Sequence, residues 1–530
     1  MKTKRPKFSR LTLPTLDKRI EKHEKTIRLH ALSQQVSRLE GGTPAHQGAN
    51  TTRRAYRNWK VASGTADENL LDDLALIRDR IEDLYRNNPI VRGLVSAETE
   101  SVIGQGLKLQ CTIDRDVLKL TDQQAEEWEN KTERLFDLDM KSVEVDAYRR
   151  MTGYQMDDLA FRSYRMYGEA FGLLPRIRRA GSNNFVKLQI VSPRRISNPM
   201  GKFNSDTLRE GIEFSEAGEV QKYWVEKFDS YYNVKNDWIG VPAFGAKSGR
   251  KNMLHVMRPD FANQSRGVSF LVSVLGKLKG LDRYDEATLT DAIMKTMHTG
   301  WIKSNRQNAL DSVFSDTSEG WFERTQDYTM DSGLIQRINT DEDIIFNNPG
   351  QAGEGFQAYY QAQLRLIAMA ANIPYEVLVK EFNASFSASK GARIEAWRHY
   401  YVERGTFASQ VKDPYYAEWL ADAIAAGRIE APGFFDDPDI KAAWLNCQWF
   451  GEGPGQIDPV KETQAAVQAI DYMLTTHQKE AAKQGNDFEK NVIMQKRERR
   501  IMQEAGIEPV RQQASAGGTQ QGEQGKLWDE

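Results

Sequence analysis

The stretch from Gly267 to about Thr299 constrains the fold most. It holds no proline, and Leu271, Val274, Leu278, Leu281, Leu289 and Ile293 recur at helical spacing, with Lys279, Asp282, Asp285 and Asp291 between them. About 30 residues in one helix reach roughly 45 Å, longer than globular helices usually run. That length predicts a bundle, a stalk or the wall of a ring. A second helix is expected from about Glu354 to Asn372, carrying Tyr360, Leu364, Ile367 and Met369 and stopping before Pro374. Two helices flanking the turn-rich residues 300–350 place that insert at the far end of a hairpin.

The flanking regions read differently. Leu70, Leu74, Ile77, Ile81 and Leu84 give helical periodicity from Asn69 to Val102, broken at Asn88-Pro89, and residues 153–167 also read as a helix. GEAFGLLPRIRRAGSNNFVKLQIV alternates around a polar turn and predicts a hairpin; GIEFSEAGEVQKYWVEKF predicts a second, turning at Glu216 to Gly218. Residues 55–260 are therefore α+β within a mainly helical chain. Beyond Pro374 a short polar loop precedes a third helix, through Arg393, Trp397 and Tyr401 towards Gly427. Trp444 to Phe450 reads as a strand. Asp458-Pro459 supplies an N-cap and first helical position, with Val460, Val467, Ile470 and Leu474 following on one face. Asp487 is placed to cap a last helix closed by Gly506, near whose end Lys496, Arg497, Arg499 and Arg500 cluster. That cluster suits either DNA or, more simply, a helix C-terminus. Residues 507–530 are Gln/Gly-rich and read as disordered.

Charge is distributed unevenly. Residues 1–60 hold 15 Lys and Arg against 4 Asp and Glu, a surplus of 11, so with a net charge of −2 the rest carries −13. A basic arm reads either as a contact for nucleic acid or an acidic partner, or as a solvated tail. No run is apolar enough for a membrane span, and MKTKRPKFSRL lacks the apolar core of a secretory signal. Two cysteines, Cys111 and Cys447, suit a reducing compartment.

Catalytic patterns are weak. Ser387 and Lys390 in SFSASKG form an S-x-x-K pair, one helical turn apart. The same spacing recurs at Ser248 with Lys251 and Ser409 with Lys412, and the companion S-D-N and K-T-G motifs are missing. No phosphate-binding G-x-x-x-x-G-K-[ST] occurs, and Gly104-Gln105-Gly106 reads as a turn. Seven scattered histidines form no zinc pattern. Asp157-Asp158 and Asp436-Asp437 read as solvated loops or caps. No catalytic residue, metal site or cofactor is expected.

Several segments, in order through most of the chain, carry a resemblance: LIRDRIEDLYRNNPIVRGLV (76–95), VIGQGLKLQ (102–110), IVSPRRISNP (190–199), HVMRPDFANQSRGVSFL (255–271), IAMAANIPYEVL (367–378), SFSASKGAR (385–393) and AWLNCQWFGEGPGQIDPVKETQAAV (443–467). With them the chain resembles the lambda-type family of tailed-phage portal proteins. The resemblance implies a portal fold assembled as a homododecameric ring at one capsid vertex of the virion, formed in the host cytoplasm. It implies double-stranded DNA passing through a central channel during packaging and ejection. Its partners would be the terminase motor, the major capsid or scaffold protein, and a head-completion or tail adaptor, with no membrane. Mapped onto this sequence, the family's parts would be a basic arm at 1–54, a wing at 55–260 with 428–456, stem helices at 267–299 and 354–373, and a clip at 300–350. A tunnel loop would follow at 379–389, then a long helix at 390–427, a crown at 457–506 and a tail at 507–530. Lys380, Glu381, Phe382, Asn383, Ser385, Ser387 and Lys390 would be the residues nearest DNA. Two rival readings are a serine hydrolase using Ser387 and Lys390, and a non-portal DNA-binding capsid-associated protein using the basic arm.

Overall fold

The computed structural model describes residues 63–228, 234–297, 301–304, 342–345, 356–381, 385–455, 458–485 and 488–506, with residues 25, 54 and 58–61 before them. Residues 1–65 cluster as one unit and residues 66–530 as another, to which everything below belongs. Nearly all of the basic arm, residues 305–341 of the expected clip, Asp487 and the tail 507–530 lie outside the described residues.

Asn88-Pro89 breaks the first helical run as the sequence predicts. Helix α1 spans Leu74–Asn87 and α2 spans Pro89–Val102; Asn88 between them is extended, as a residue before proline must be, and its side chain caps α2 by accepting from the Ile90 and Val91 N–H groups. Gly104 and Gly106 turn the chain, at φ 55° and 105°, into strand β1, Lys108–Cys111. Helices α3, Asp122–Lys141, and α4, Gly153–Tyr167, each open with a capping box, Thr121 with Gln124 and Thr152 with Gln155.

Both expected hairpins form. Strands β2, Glu169–Leu173, and β3, Gln189–Val191, pair antiparallel with Phe171 opposite Val191. Strands β4 (Leu208–Arg209), β5 (Ile212–Phe214), β6 (Val220–Phe228) and β7 (Val234–Pro242) make a four-stranded sheet in chain order, and β8, Met253–Met257, returns to pair with β2.

Helix α5 is Leu275–Met297, shorter at its start than predicted, because Phe270–Val274 is a tighter 3-10 turn capped by Ser269. The constraint comes from a partner distant in sequence: Gly267 lies against Gly168, whose carbonyl oxygen would stand 2.3 Å from any Cβ there, so the chain enters the helix through a close backbone contact. Leu278 and Leu281 are buried, whereas Leu289 and Ile293 are 61% and 49% exposed. Strands β9, Trp301–Ser304, and β10, Glu342–Ile345, pair antiparallel and draw the ends of the insert together. Helix α6 is Phe356–Ala370; Leu364 and Ile367 are buried, but Met369 points out and does not belong to the predicted stripe. An aromatic clasp joins the two long helices: Tyr284 stacks on Phe356 at 5.2 Å and meets Tyr359 edge-on at 5.0 Å.

A short helix α7, Tyr375–Val379, precedes α8, Phe386–Phe407, which starts four residues before the position expected from sequence. A π turn at Ala408–Lys412 links it to α9, Asp413–Ala425. Pro414 accounts for the wide turn, since it cannot donate to Gln410 and its ring would strike that carbonyl in a regular helix. Trp444 falls on α10, Pro438–Leu445, rather than on the strand β11, Cys447–Phe450, which pairs antiparallel with β1. Helices α11 (Pro459–Asp471), α12 (His477–Lys483) and α13 (Phe488–Glu504) finish the described chain. Asp458 caps α11 through the Lys461 N–H, but Val460, Val467 and Leu474 are exposed. The main core centres on Phe136, edge-on to Tyr416 and Trp419 of α9 at 5.7 and 5.0 Å.

Candidate functional site

The segment between α7 and α8 holds the residues singled out from sequence. Lys380 ends α7 in the left-handed conformation (φ 56°) and is exposed, as is Glu381. Phe382 and Asn383 lie outside the described residues. Ser385 caps α8, its hydroxyl accepting from the Ala388 N–H at 3.4 Å. Ser387 is therefore on the first turn of a helix and not in a loop, and Lys390, expected at the helix start, lies one turn further in. Ser387 is exposed, and the Lys390 ammonium faces Glu462 of α11 at 3.4 Å. Lys380, Ser389, Arg393 and Trp397 line a cleft of about 670 Å³ together with Glu100 of α2 and the Glu452–Pro454 loop. Its two cations, Lys380 and Arg393, are matched by two carboxylates, Glu100 and Glu452, so the lining carries no net charge. With the Lys390 ammonium facing Glu462, the S-x-x-K pair is not arranged as nucleophile and base.

The root of α5 is the most elaborate polar arrangement. Glu169, the first residue of β2, is fully buried. It accepts from Arg266 Nε at 3.0 and 3.1 Å and from Nη2 at 2.6 Å, and also from Arg78 of α1, from the Gly267 N–H at 2.9 Å and from His255 at 3.2 Å. The Arg266 guanidinium also reaches the carbonyls of Pro193, Ile196 and Glu210. Burial alone would raise the Glu169 carboxyl, but the Arg266 and Arg78 guanidiniums hold it far below the carboxylate range. Burial, with Arg266 nearby, pulls Arg78 down to about 10, and burial lowers the His255 imidazole against its bond to Glu169. Three of the segments that carry the resemblance meet here: 76–95 brings Arg78, 190–199 the Pro193 and Ile196 carbonyls, and 255–271 His255 and Arg266. Arg78 and Arg266 fix where the long helix leaves the body.

A second node joins the helices. Arg165 of α4 is bidentate to Glu98 of α2 at 2.7 and 2.8 Å, and Tyr164 donates to Glu403 of α8 at 2.9 Å. Burial works against Glu98, yet Arg165 and His399 hold its carboxyl below the usual range. A third lies under the π turn: Lys412, 1% exposed, contacts Asp157, 2% exposed, at 2.6 Å. This corrects the expectation for Asp157 as a solvated residue, whereas Asp158 pairs with Arg162 on the surface and Asp437 caps α10. Sequence reading passed over Glu169 and Arg266, and met Lys412 only in an S-x-x-K pair. The signal for Glu169 and Arg266 was a single charge set inside an apolar run, GEAFGLL and SRGVSFL, a pattern that demands a buried partner.

Among the described residues no cluster of His, Cys, Asp and Glu has the arrangement to hold a metal ion, and no helix is long and apolar enough to cross a membrane.

A family model described as phage portal protein, lambda family, matches residues 52–404. Portal protein B of Escherichia phage lambda is 25% identical over 494 residues, covering 89% of this chain and 92% of that protein. The portal protein of Escherichia phage N15 aligns over the same length with the same identity. Among solved structures, a chain from the virion of a native gene transfer agent particle is similar at a TM-score of 0.43 and 12% identity, covering 78% of this chain and 93% of that one.

Proposed function

The chain belongs to the lambda family of phage portal proteins, and we propose that it works as a ring of identical subunits conducting double-stranded DNA through a capsid vertex. The observation that carries the ring is the half-covered helix α5. Its first half buries Leu278 and Leu281 within the chain, while Leu289 and Ile293 further along face outward. A helix with a solvent-exposed apolar stripe is satisfied by a neighbour, and a closed ring satisfies every copy equally. In this reading residues 55–260 and 428–456 are the wing, α5 and α6 the stem, and the β9–β10 ladder the base of the clip. Helices α11 to α13 are the crown.

DNA would pass beside the α7–α8 segment, with Lys380 touching phosphate and Ser385 and Ser387 giving clearance; Phe382 and Asn383 belong to the same proposed segment. The surplus of negative charge outside the first 60 residues supports a channel wall that phosphates do not adhere to. Docking of a terminase motor during packaging, and of head-completion or tail proteins afterwards, completes the assigned role. Assembly into the virion in the host cytoplasm, with the capsid or scaffold protein as neighbour, completes the reading. The hydrolase alternative is disfavoured by the Lys390–Glu462 pair.

Negative-stain microscopy of the purified chain tests the proposal. Annular particles with a central hole are expected; compact monomers at every concentration would overturn it.

A further inference from the structure

The chain's only two cysteines lie directly opposite each other. Strands β1 and β11 pair with Cys111 against Cys447, although most of the chain separates them in sequence. The local hydrogen bonds identify the kind of pair. The Thr112 N–H donates to the Asn446 carbonyl at 2.9 Å, whereas the Cys111 N–H turns away from β11 to Glu133 Oε1 at 2.9 Å. Positions 112 and 446 are thus a hydrogen-bonded pair, and 111 with 447 is the adjacent non-hydrogen-bonded one. There antiparallel strands approach most closely, to a Cα separation of about 4.5 Å, with both side chains on one face. Disulfides span Cα separations of about 4.4–6.8 Å. Contacts on a third element agree with a shared face. The Cys111 sulfur lies 3.5 Å from the Tyr416 hydroxyl, and the Cys447 thiol donates to Asp413 Oδ1 at 3.9 Å, both partners being on α9. Both cysteines are free thiols.

We propose that Cys111 and Cys447 are an oxidative cross-linking site, at which a small disulfide such as oxidised glutathione joins β1 to β11 and latches the return strand covalently to the body. Cys447, the more accessible of the two, reacts first. Its thiolate attacks one glutathione sulfur, a mixed disulfide forms and one glutathione thiolate leaves. The Cys111 thiolate then attacks the Cys447 sulfur, expelling the second glutathione. One disulfide is consumed and one formed, and the two protons lost by the cysteines end on the two glutathione thiols. Burial pushes the Cys447 thiol up to about 12, with Asp413 adding to it, and pushes Cys111 well above its ordinary value. The dithiol therefore persists near neutral pH and closes faster as pH rises. A particle leaving a thiol-rich cell enters the oxidising medium in which such a bond endures. Nothing in this site depends on ring assembly.

The test incubates the full chain with oxidised glutathione at mildly alkaline pH, then unfolds, alkylates and maps it without reduction. A peptide linking Cys111 to Cys447 within one chain is expected, both alkylation sites disappearing and both returning with dithiothreitol. Cys111→Ser should yield only a glutathione adduct on Cys447, whereas Cys447→Ser should leave the buried Cys111 thiol unmodified and alkylated once the chain is unfolded. In the oxidised wild type, exchange of the Gln110 and Gln448 amides should slow by about tenfold or more. Two thiols that stay alkylatable after prolonged oxidation, or that form only mixed or interchain disulfides, would overturn the proposal.

Discussion

Arg266 lays its guanidinium against Glu169 through Nε at 3.0 and 3.1 Å and Nη2 at 2.6 Å, with neither side chain reaching solvent. The pair ties β2 to the segment that becomes α5, and Arg78 adds α1 to the same carboxylate. Removing the carboxylate would leave two buried cations facing each other. Glu169→Ala should therefore lower the unfolding free energy by about 3–5 kcal/mol, the range for breaking a buried pair, read as a shift in the urea midpoint.

Acid should loosen this node in two steps. Burial lowers the His255 imidazole, and the Glu169 carboxyl, which burial alone would raise, is held far down by Arg266 and Arg78. Both folded-state values lie below their unfolded ones, so the unfolded chain binds more protons and stability falls with pH. The His255 contribution is complete above its unfolded value of about 6.5 and declines below it; the Glu169 contribution declines below about 4.3. Urea midpoints followed from neutral to acid pH should show the upper step in wild type and lose it in His255→Gln. A wild-type midpoint constant down to about pH 5 would exclude a buried neutral imidazole.

Lys412 and Asp157 predict the opposite trend once separated. In Lys412→Met the Asp157 carboxyl keeps its burial, which already raises it, and loses the ammonium that lowers it. At neutral pH the variant should lose about 3–5 kcal/mol. Its folded state then binds a proton that the unfolded chain releases, so the deficit should shrink as pH falls towards the unfolded Asp value of about 3.9. Paired urea titrations at neutral and mildly acidic pH measure this, and a deficit that grows in acid would contradict it.

The sequence was most legible where one local rule decides the outcome. Asn88-Pro89 and Asp458-Pro459 each set a helix boundary by cap and proline chemistry within a few residues, and the structure starts helices at Pro89 and Pro459. Reading failed where a distant partner decides. The start of α5 is set by Gly168 pressing on Gly267, the role of Asp157 by Lys412, and the π turn by Pro414 acting on the preceding turn of a helix whose periodicity looked continuous. Of the α7–α8 segment, sequence reading expected a short polar loop beyond Pro374 and a helix from Lys390; it foresaw neither the short helix Tyr375–Val379 nor that Ser385 caps a helix already containing Ser387. Ser and Ala serve loops and first helical turns equally well, so only the cap geometry separates them.

Glycines separate constrained from unconstrained backbone. Gly168 ends α4 at φ 78°, and a Cβ there would lie 2.1 Å from the Val268 carbonyl carbon. Gly168→Ala should cost at least about 1–3 kcal/mol through conformation and clash together. Gly280, within α5, has nothing within 4 Å of its would-be Cβ. Gly280→Ala should instead stabilise the isolated chain by about 1 kcal/mol. Thermal melts of the two variants should move in opposite directions.

Leu289 and Ile293 separate folding from assembly. Both are exposed on α5, while the residues anchoring that helix to the body, Leu278 and Leu281, are buried. Leu289→Glu with Ile293→Glu removes no contact of the buried core, so monomer stability should change by no more than about 0.5 kcal/mol. Two carboxylates buried against a neighbouring copy would each lack a partner, a cost that multiplies around a closed ring. Under the proposed ring, analytical ultracentrifugation should therefore show the double variant as folded monomers at concentrations where wild type sediments as a large oligomer. Leu278→Glu should behave differently, failing to fold in either state. If the double variant assembled as well as wild type, α5 would have to be covered in some way other than by a second copy of the chain.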